Sequence, residues 1–401
     1  MTIPYARPYW TEEEVDAVAE TVRSGWWTSG KRVQQFEDGL RAATGAEEIV
    51  TVSSGTTALE SLLTLVKRPG ARSLFVTSSL NFAGGPAAAR HAGYDIAFTD
   101  IDPRSLNMSA SSLRALLART SDSYDQILVM PVHFAGVPAD MDTLAAVCAV
   151  YGAELAEDAC HALGGRYNEA GPLIGSHPAS LGAVFSFHPN KPVAAAEGGA
   201  VSVRDPELAA RLRLYRNHNM DRSAAAWERS GAVGDTPDPW FYAVEEPGRN
   251  LRLSELHAAI GQVQLARLPE SLERRRTLAR RYREAFAASD GLAYLPAADR
   301  RLSGWHLFPV SFDLKAVGLD RRAVFGYFAE RGITLQVHYI PLHLQPAFRT
   351  HVSAPAGFPH LDTIAPGMVS LPLFHGLADD EHQHVVDTVL GLLATSAGRQ
   401  S

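Results

Sequence analysis

Apolar side chains at Val15, Val18, Ala19 and Val22 recur at helical spacing after a Thr11-Glu12-Glu13 start, which predicts a helix over residues 11–23. Beyond it, seven short apolar runs at residues 48–54, 73–78, 95–101, 126–134, 153–159, 180–187 and 198–203 alternate with stretches of helical period. Short, continuously apolar runs separated by helices predict an α/β fold with a buried, seven-stranded, mainly parallel sheet. Residues 221–247 hold no sustained period and are rich in Gly, Pro and Asp, the signature of a long loop or lid; Trp227 and Trp240 are available in it as packing anchors. Two consecutive helices are expected at 253–268 and 272–286, separated at Pro269. The remainder mixes strand-like runs (306–312, 333–339, 368–374) with helical ones (321–332, 378–393), a smaller α+β unit. The expected division is therefore 1–252 and 253–401.

Composition narrows the function classes. The 401 residues carry 37 basic and 44 acidic side chains, a net charge of −7, with no basic footprint for nucleic acid or an acidic membrane surface. No apolar run approaches the ~18 residues that span a bilayer. The two cysteines, Cys148 and Cys160, do not form a Cys-x-x-Cys pair, so neither a disulfide framework nor a structural zinc site is expected. The pairs His338/His343 and His382/His384 lack helical metal-ligand spacing, and no metal is expected. A cytoplasmic protein is expected. Only four of the basic residues are lysines, Lys31, Lys67, Lys191 and Lys315, so few residues can supply chemistry that needs a primary amine.

Three segments can carry such chemistry. The turn Ser53-Ser54-Gly55-Thr56-Thr57 joins a strand to a helix, where free N–H groups and the helix dipole suit a phosphate, or where the hydroxyls serve only as a cap. Asp158 ends an apolar strand, where a carboxylate can hold a cationic heterocycle protonated or cap the next helix; His161 lies one turn on. Lys191 follows the buried run ending in Ser186-Phe187 and precedes Glu197-Gly198-Gly199. Desolvation there lowers an amine toward its nucleophilic neutral form, whereas the alternative is a surface lysine in a chain that otherwise prefers arginine. A phosphate turn, a strand-end carboxylate and a strand-end lysine together make the part list for pyridoxal 5'-phosphate, with Phe82 supplying an aromatic face. No G-x-G-x-x-G, P-loop or G-x-S-x-G motif occurs.

The strings SGTTAL, PVHFAGVPADMD, EDACHALGG, SFHPNK followed by EGGAV, and HYIPLHLQPAF resemble, in order and spacing, the DegT-like nucleotide-sugar aminotransferases. The resemblance runs from about residue 3 to about residue 381. It implies a fold-type I transaminase, a homodimer with active sites at the subunit interface. By position, Lys191 would form the internal aldimine, Asp158 would pair with the pyridinium nitrogen, and His161 would lie near the ring hydroxyl. Gly55, Thr56 and Ser186 would hold the phosphate, Phe82 would stack on the ring, and Asn250 would reach the neighbouring subunit's phosphate. Arg249 and Leu251 stand where the family usually has aromatic residues, and Pro192 and Ala196 also depart from its pattern. HFAG, HALGGRY and DPWFYAVEE are most similar to the 4-aminotransferases of the pseudaminic acid pathway. The implied reaction moves an amino group from L-glutamate to C4 of a 4-keto-6-deoxy nucleotide sugar. The alternatives are a transaminase acting on a non-nucleotide ketone and a non-catalytic relative that keeps the fold.

Overall fold

The computed structural model describes residues 2–231, 236–297, 302–350, 352–353 and 356–397. The first helix spans Glu12–Ser24, and its start follows the sequence signal: Glu14 accepts the Thr11 N–H at 2.8 Å while the Thr11 hydroxyl caps the first turn. The seven expected strands form as β1 (Glu48–Val52), β2 (Ser73–Ser78), β3 (Asp95–Thr99), β4 (Gln126–Val129), the pair β5 (Glu154–Leu155) and β6 (Glu157–Asp158), β7 (Gly182–Ser186) and β8 (Gly199–Val203). The 153–159 run is thus two short strands rather than one. At Ala156 it changes partners: Glu154 and Leu155 pair with β4, and Glu157 and Asp158 with β7.

The sheet is accordingly assembled from two ladders, β3-β2-β4-β5 and β6-β7-β8-β1, that meet along residues 154–158. A single parallel bridge between Val132 and Asp158 ties them further. Strand β8 runs antiparallel to both β1 and β7, so β1, β6 and β7 all point the same way. Their C-terminal ends therefore share one edge, and the residues that follow each of them emerge there. One strand that sequence did not predict, Val352–Ser353, pairs with the outer side of β3.

Alternate side chains of each strand enter different cores, which is why the strands read as continuously apolar. In β2, Leu74 and Val76 pack with Leu113, Leu117 and Leu144 on one face, whereas Phe75 packs with Leu59, Leu62 and Leu80 on the other. A separate core joins Phe308, Val310, Val369 and Leu371 to Leu278, Tyr282, Phe286, Val385 and Val389, and Ile3 closes it.

Two other expectations are corrected. Pro269 does not separate two helices at a gap; it lies in the first turn of Leu268–Phe286, where its missing N–H costs nothing, directly after Glu255–Ala266. The 333–339 run is no strand: only Ile333 and Gln336 make isolated bridges, to Ile3 and Ser370. Its backbone instead turns toward the cavity described below. The 221–247 segment contains a short helix, Ala224–Arg229, whose Trp227 is buried against Phe241, while Trp240 is 75% exposed. Residues 232–235 lie outside the described residues.

Helix Lys31–Thr44 starts at Gly30, which has no side chain to cap it. Glu255, 3% exposed, does so from another helix: one carboxylate oxygen accepts the N–H of Gly30 and Val33 at 2.9 and 2.8 Å, and the other that of Arg32 at 2.9 Å. Glu255→Ala strands these donors and is expected to cost about 3 kcal/mol. The check is the urea midpoint, and an unchanged midpoint would contradict this role.

Candidate active site

The shared sheet edge opens onto a cavity of about 600 Å³ whose lining includes Ser54, Gly55, Thr56, Phe82, Asp158, His161, Ser186 and Lys191. All the sequence-derived site residues but one are thus brought together. Asn250 is not among the lining residues: it is exposed, bridged to Asn217, and its neighbour Leu251 accepts the Ser53 N–H at 2.8 Å from behind the turn.

The turn after β1 leads into helix Gly55–Val66. Ser54 caps it by accepting the Thr57 N–H at 3.1 Å, and Thr57 returns the contact by accepting the Ser54 N–H at 2.9 Å. The capping function that sequence left open is therefore real, and it does not consume the turn. Among the described residues the Gly55 and Thr56 N–H groups have no hydrogen-bond acceptor and remain available for an anion. Register explains why the turn is so tight: Gly199 pairs with both Val52 and Ser186, so the ends of β1 and β7 close over it. A Cβ at Gly199 would lie 2.2 Å from the Ser54 carbonyl oxygen, and one at Gly55 only 2.7 Å from the Ser186 Cβ. The two glycines make the cradle.

Asp158 is 5% exposed and one of its carboxylate oxygens accepts the Cys160 N–H at 3.2 Å. Its strand is held by the neighbouring segment, because the His133 N–H donates to the Asp158 carbonyl oxygen and the Asp158 N–H to that of Pro131. Behind it, Glu157 accepts from the His133 ring at 2.9 Å and from the Tyr167 hydroxyl at 2.5 Å. The ring direction follows from the other His133 nitrogen, which accepts the Ala139 N–H.

Lys191 sits in a tight turn after β7, its N–H donating to the His188 carbonyl. Lys191 as a whole is partly buried, but protein surrounds its amine, and desolvation pushes its pKa below the ordinary value, opposed by the nearby Cys160 and Asp158. The same enclosure, together with the lysine's charge, holds His161 well below the ordinary histidine value. The His161 Nδ1 accepts the Ala135 N–H at 3.3 Å, so neutral His161 carries its proton on Nε2 and donates to the Tyr339 hydroxyl at 3.0 Å. Phe82, 57% exposed, presents its ring to the cavity 5.7 Å from that of Tyr339.

Tyr5, Cys160, His306, His338 and Tyr339 also line the cavity, and the sequence did not single them out as site residues. Burial, with Lys191 adding its charge, holds His338 down to about 4, and its ring meets the Ser370 hydroxyl at 2.9 Å. Cys160 follows Asp158 by two residues, so its place was within reach of the sequence. Tyr5, His306, His338 and Tyr339 arrive from segments more than a hundred residues from Asp158 and Lys191; His338 and Tyr339 fall in the HYIPLHLQPAF string, and nothing in the sequence assigned any of the four a role in the cavity. His343 is not in the cavity; it stacks on Phe358 and meets the Ser79 hydroxyl.

A free-donor turn, a strand-end carboxylate and an enclosed lysine thus meet at one sheet edge, and residues 8–390 match one family model throughout. The chain belongs to the DegT/DnrJ/EryC1/StrS aminotransferase family. It is 35% identical over 389 residues to the spore coat polysaccharide biosynthesis protein SpsC of Bacillus subtilis, covering 96% of both chains. Its fold matches that of Helicobacter pylori PseC, an aminotransferase involved in pseudaminic acid biosynthesis, with a TM-score of 0.86 at 25% identity over 98% of this chain and 100% of that one. DesI, solved in the presence of its TDP-sugar product, matches with a TM-score of 0.83 at 28% identity over 100% of this chain and 94% of that one. The protein is a sugar aminotransferase of this family, with the fold-type I architecture and a family history of pyridoxal phosphate dependence. Among the described residues no helix is long and apolar enough to cross a membrane.

Proposed function

We propose that the protein binds pyridoxal 5'-phosphate in the cavity and transfers an amino group from L-glutamate to C4 of a nucleotide-linked 4-keto-6-deoxy sugar. The observation that carries the reading is the meeting of Lys191, Asp158 and the Ser54-Gly55-Thr56 turn in one cavity of about 600 Å³. The residues present fit the cofactor: a turn with free N–H donors whose closeness any Cβ at Gly55 or Gly199 would prevent, a buried carboxylate with accepting capacity left, and an aromatic face. When bound, the cofactor supplies an electron sink for carbon–hydrogen cleavage next to nitrogen.

The chain's own residues do the rest. The Gly55 and Thr56 N–H groups and the Ser186 hydroxyl would hold the phosphate. Asp158 would keep the cofactor's ring nitrogen protonated, Phe82 would offer it an aromatic face, and His161 would help to hold it. Lys191, neutral more readily than an ordinary lysine, would supply the amine that holds the cofactor and would take up and return the proton at the substrate carbon. Asn250, exposed on its own protomer, serves the phosphate site of a second copy in a homodimer. The same reading assigns residues 1–252 to cofactor binding and 253–401 to the linking helices and smaller domain. The nucleotide sugar is supported by DesI's TDP-sugar product and by PseC's pathway.

The test is a visible spectrum of the purified protein with added pyridoxal phosphate, before and after L-glutamate, followed by mass spectrometry of keto-sugar nucleotides. We expect a lysine-dependent band that glutamate bleaches, and a ketone converted to an amine. Competition by UDP or TDP separates a nucleotide substrate from a free ketone. A protein that shows no band, or whose charged amine no keto-sugar nucleotide can discharge, would overturn the proposal.

A further inference from the structure

His306 sits where no site residue was expected, in the turn that leads into the strand Phe308–Phe312. That turn is clamped to residues 134–136: the Gly304 N–H donates to the Gly136 carbonyl at 2.9 Å and the His306 N–H to the Ala135 carbonyl at 3.0 Å. Ala135 also donates its own N–H to His161, so one residue fixes both histidines, whose rings lie 4.5 Å apart. The clamp is made against backbone preference on both sides. Ala135 (φ +59°) and Trp305 (φ +42°) are non-glycine residues in the left-handed region, a cost of order 1–3 kcal/mol each that persists only where the surroundings impose it.

What this geometry aims is the His306 ring. It is 5% exposed, its Nε2 lies 3.4 Å from the Lys191 amine, and its Nδ1 is buried with no hydrogen-bond partner among the described residues. We infer that His306 is a positioning residue for Lys191: its neutral ring accepts a hydrogen from the amine and thereby holds the reacting nitrogen in one direction. The inference rests on the proposed role of Lys191.

A neutral ring follows from the groups that face it. Lys191 comes from the turn after β7, His161 from the segment after β6, His338 from the 336–339 segment and Arg275 from helix Leu268–Phe286; each, when charged, opposes a second positive charge, and burial opposes it most. A neutral ring next to an ammonium can only accept from it. The cost is a buried Nδ1–H without an acceptor, and the benefit is largest when Lys191 is an ammonium, a stronger donor than the neutral amine. His306 therefore favours the protonated amine, opposing the desolvation that lowers its pKa, and it keeps the amine from turning away from the cavity.

The experiment compares the wild-type chain with His306→Phe and His306→Gln. In the protein without cofactor, Lys191 acetylation by acetic anhydride is followed by mass spectrometry across pH. Loss of the acceptor is expected to move the midpoint down by about one pH unit in His306→Phe, a tenfold change in the equilibrium. His306→Gln, which still offers an oxygen acceptor, restores most of it. In the loaded enzyme His306→Phe lowers kcat about tenfold or more with KM for the amino donor little changed, because only the orientation of the nitrogen is lost. A midpoint that stays put in His306→Phe overturns the inference. The acetylation readout needs no cofactor, so failure of the proposed reaction shows instead as a wild-type protein without the lysine-dependent band. If His306→Phe does not fold by circular dichroism, His306→Gln against His306→Leu decides by the same midpoint.

Discussion

Lys191→Ala is expected to lower multiple-turnover transamination by a factor on the order of 10³ or more, about 4 kcal/mol or more of barrier. None of the other three lysines lines the cavity, and arginine cannot replace a neutral amine, so no other group inherits the step. The proposed phosphate cradle at Gly55, Thr56 and Ser186 and the strand-end carboxylate of Asp158 lie on other segments than Lys191, and neither is held by a hydrogen bond to the lysine side chain. Pyridoxal phosphate should therefore still bind, without the lysine-dependent absorption. Equilibrium dialysis and borohydride labelling separate the two properties: retained binding with no labelled peptide is the expected pair. Turnover at the wild-type rate would remove Lys191 from the mechanism.

Asp158→Asn carries the second-largest expected loss, about 100-fold in kcat, or about 2.7 kcal/mol. An amide has nearly the same shape and can still accept the Cys160 N–H, so folding should survive. It has no negative charge with which to hold a protonated ring nitrogen, and the electron sink weakens accordingly. It also removes a negative charge that raises the Lys191 pKa against desolvation, so the amine should become neutral at a still lower pH. The two effects are read separately, the first in the single-turnover rate with saturating cofactor and the second in the pH midpoint of Lys191 acetylation. A wild-type rate in Asp158→Asn would show that Asp158 is a structural carboxylate only.

Much of this was legible in one dimension because the sheet edge is local to its strands. Asp158 and Lys191 follow apolar runs directly, and the Ser53–Thr57 turn lies between a run and a helix, so strand-end chemistry could be proposed before any contact was known. The capping box at Thr11 was equally readable, since both partners lie within four residues. Less visible was the 333–339 run, whose β-like composition was overridden when Tyr339 and His338 turned into the cavity. Pro269 misled for a simpler reason: proline ends a helix in its interior yet suits its first turn, and only the position of the helix start distinguishes them.

The sequence by itself determined the α/β class, the strand-end placement of the turn, carboxylate and lysine, and the family. These depend on short-range periodicity and on motifs whose residues stay adjacent. Only the tertiary structure decided that the 153–159 run changes partners at Ala156, that Gly199 draws the ends of β1 and β7 together, that Glu255 caps a helix more than 200 residues away, and that His306 faces the lysine. Each is a contact between segments brought together by packing of the sheet and its helices, and the geometry of such contacts is set by burial and backbone hydrogen bonding across the whole chain rather than by any local pattern.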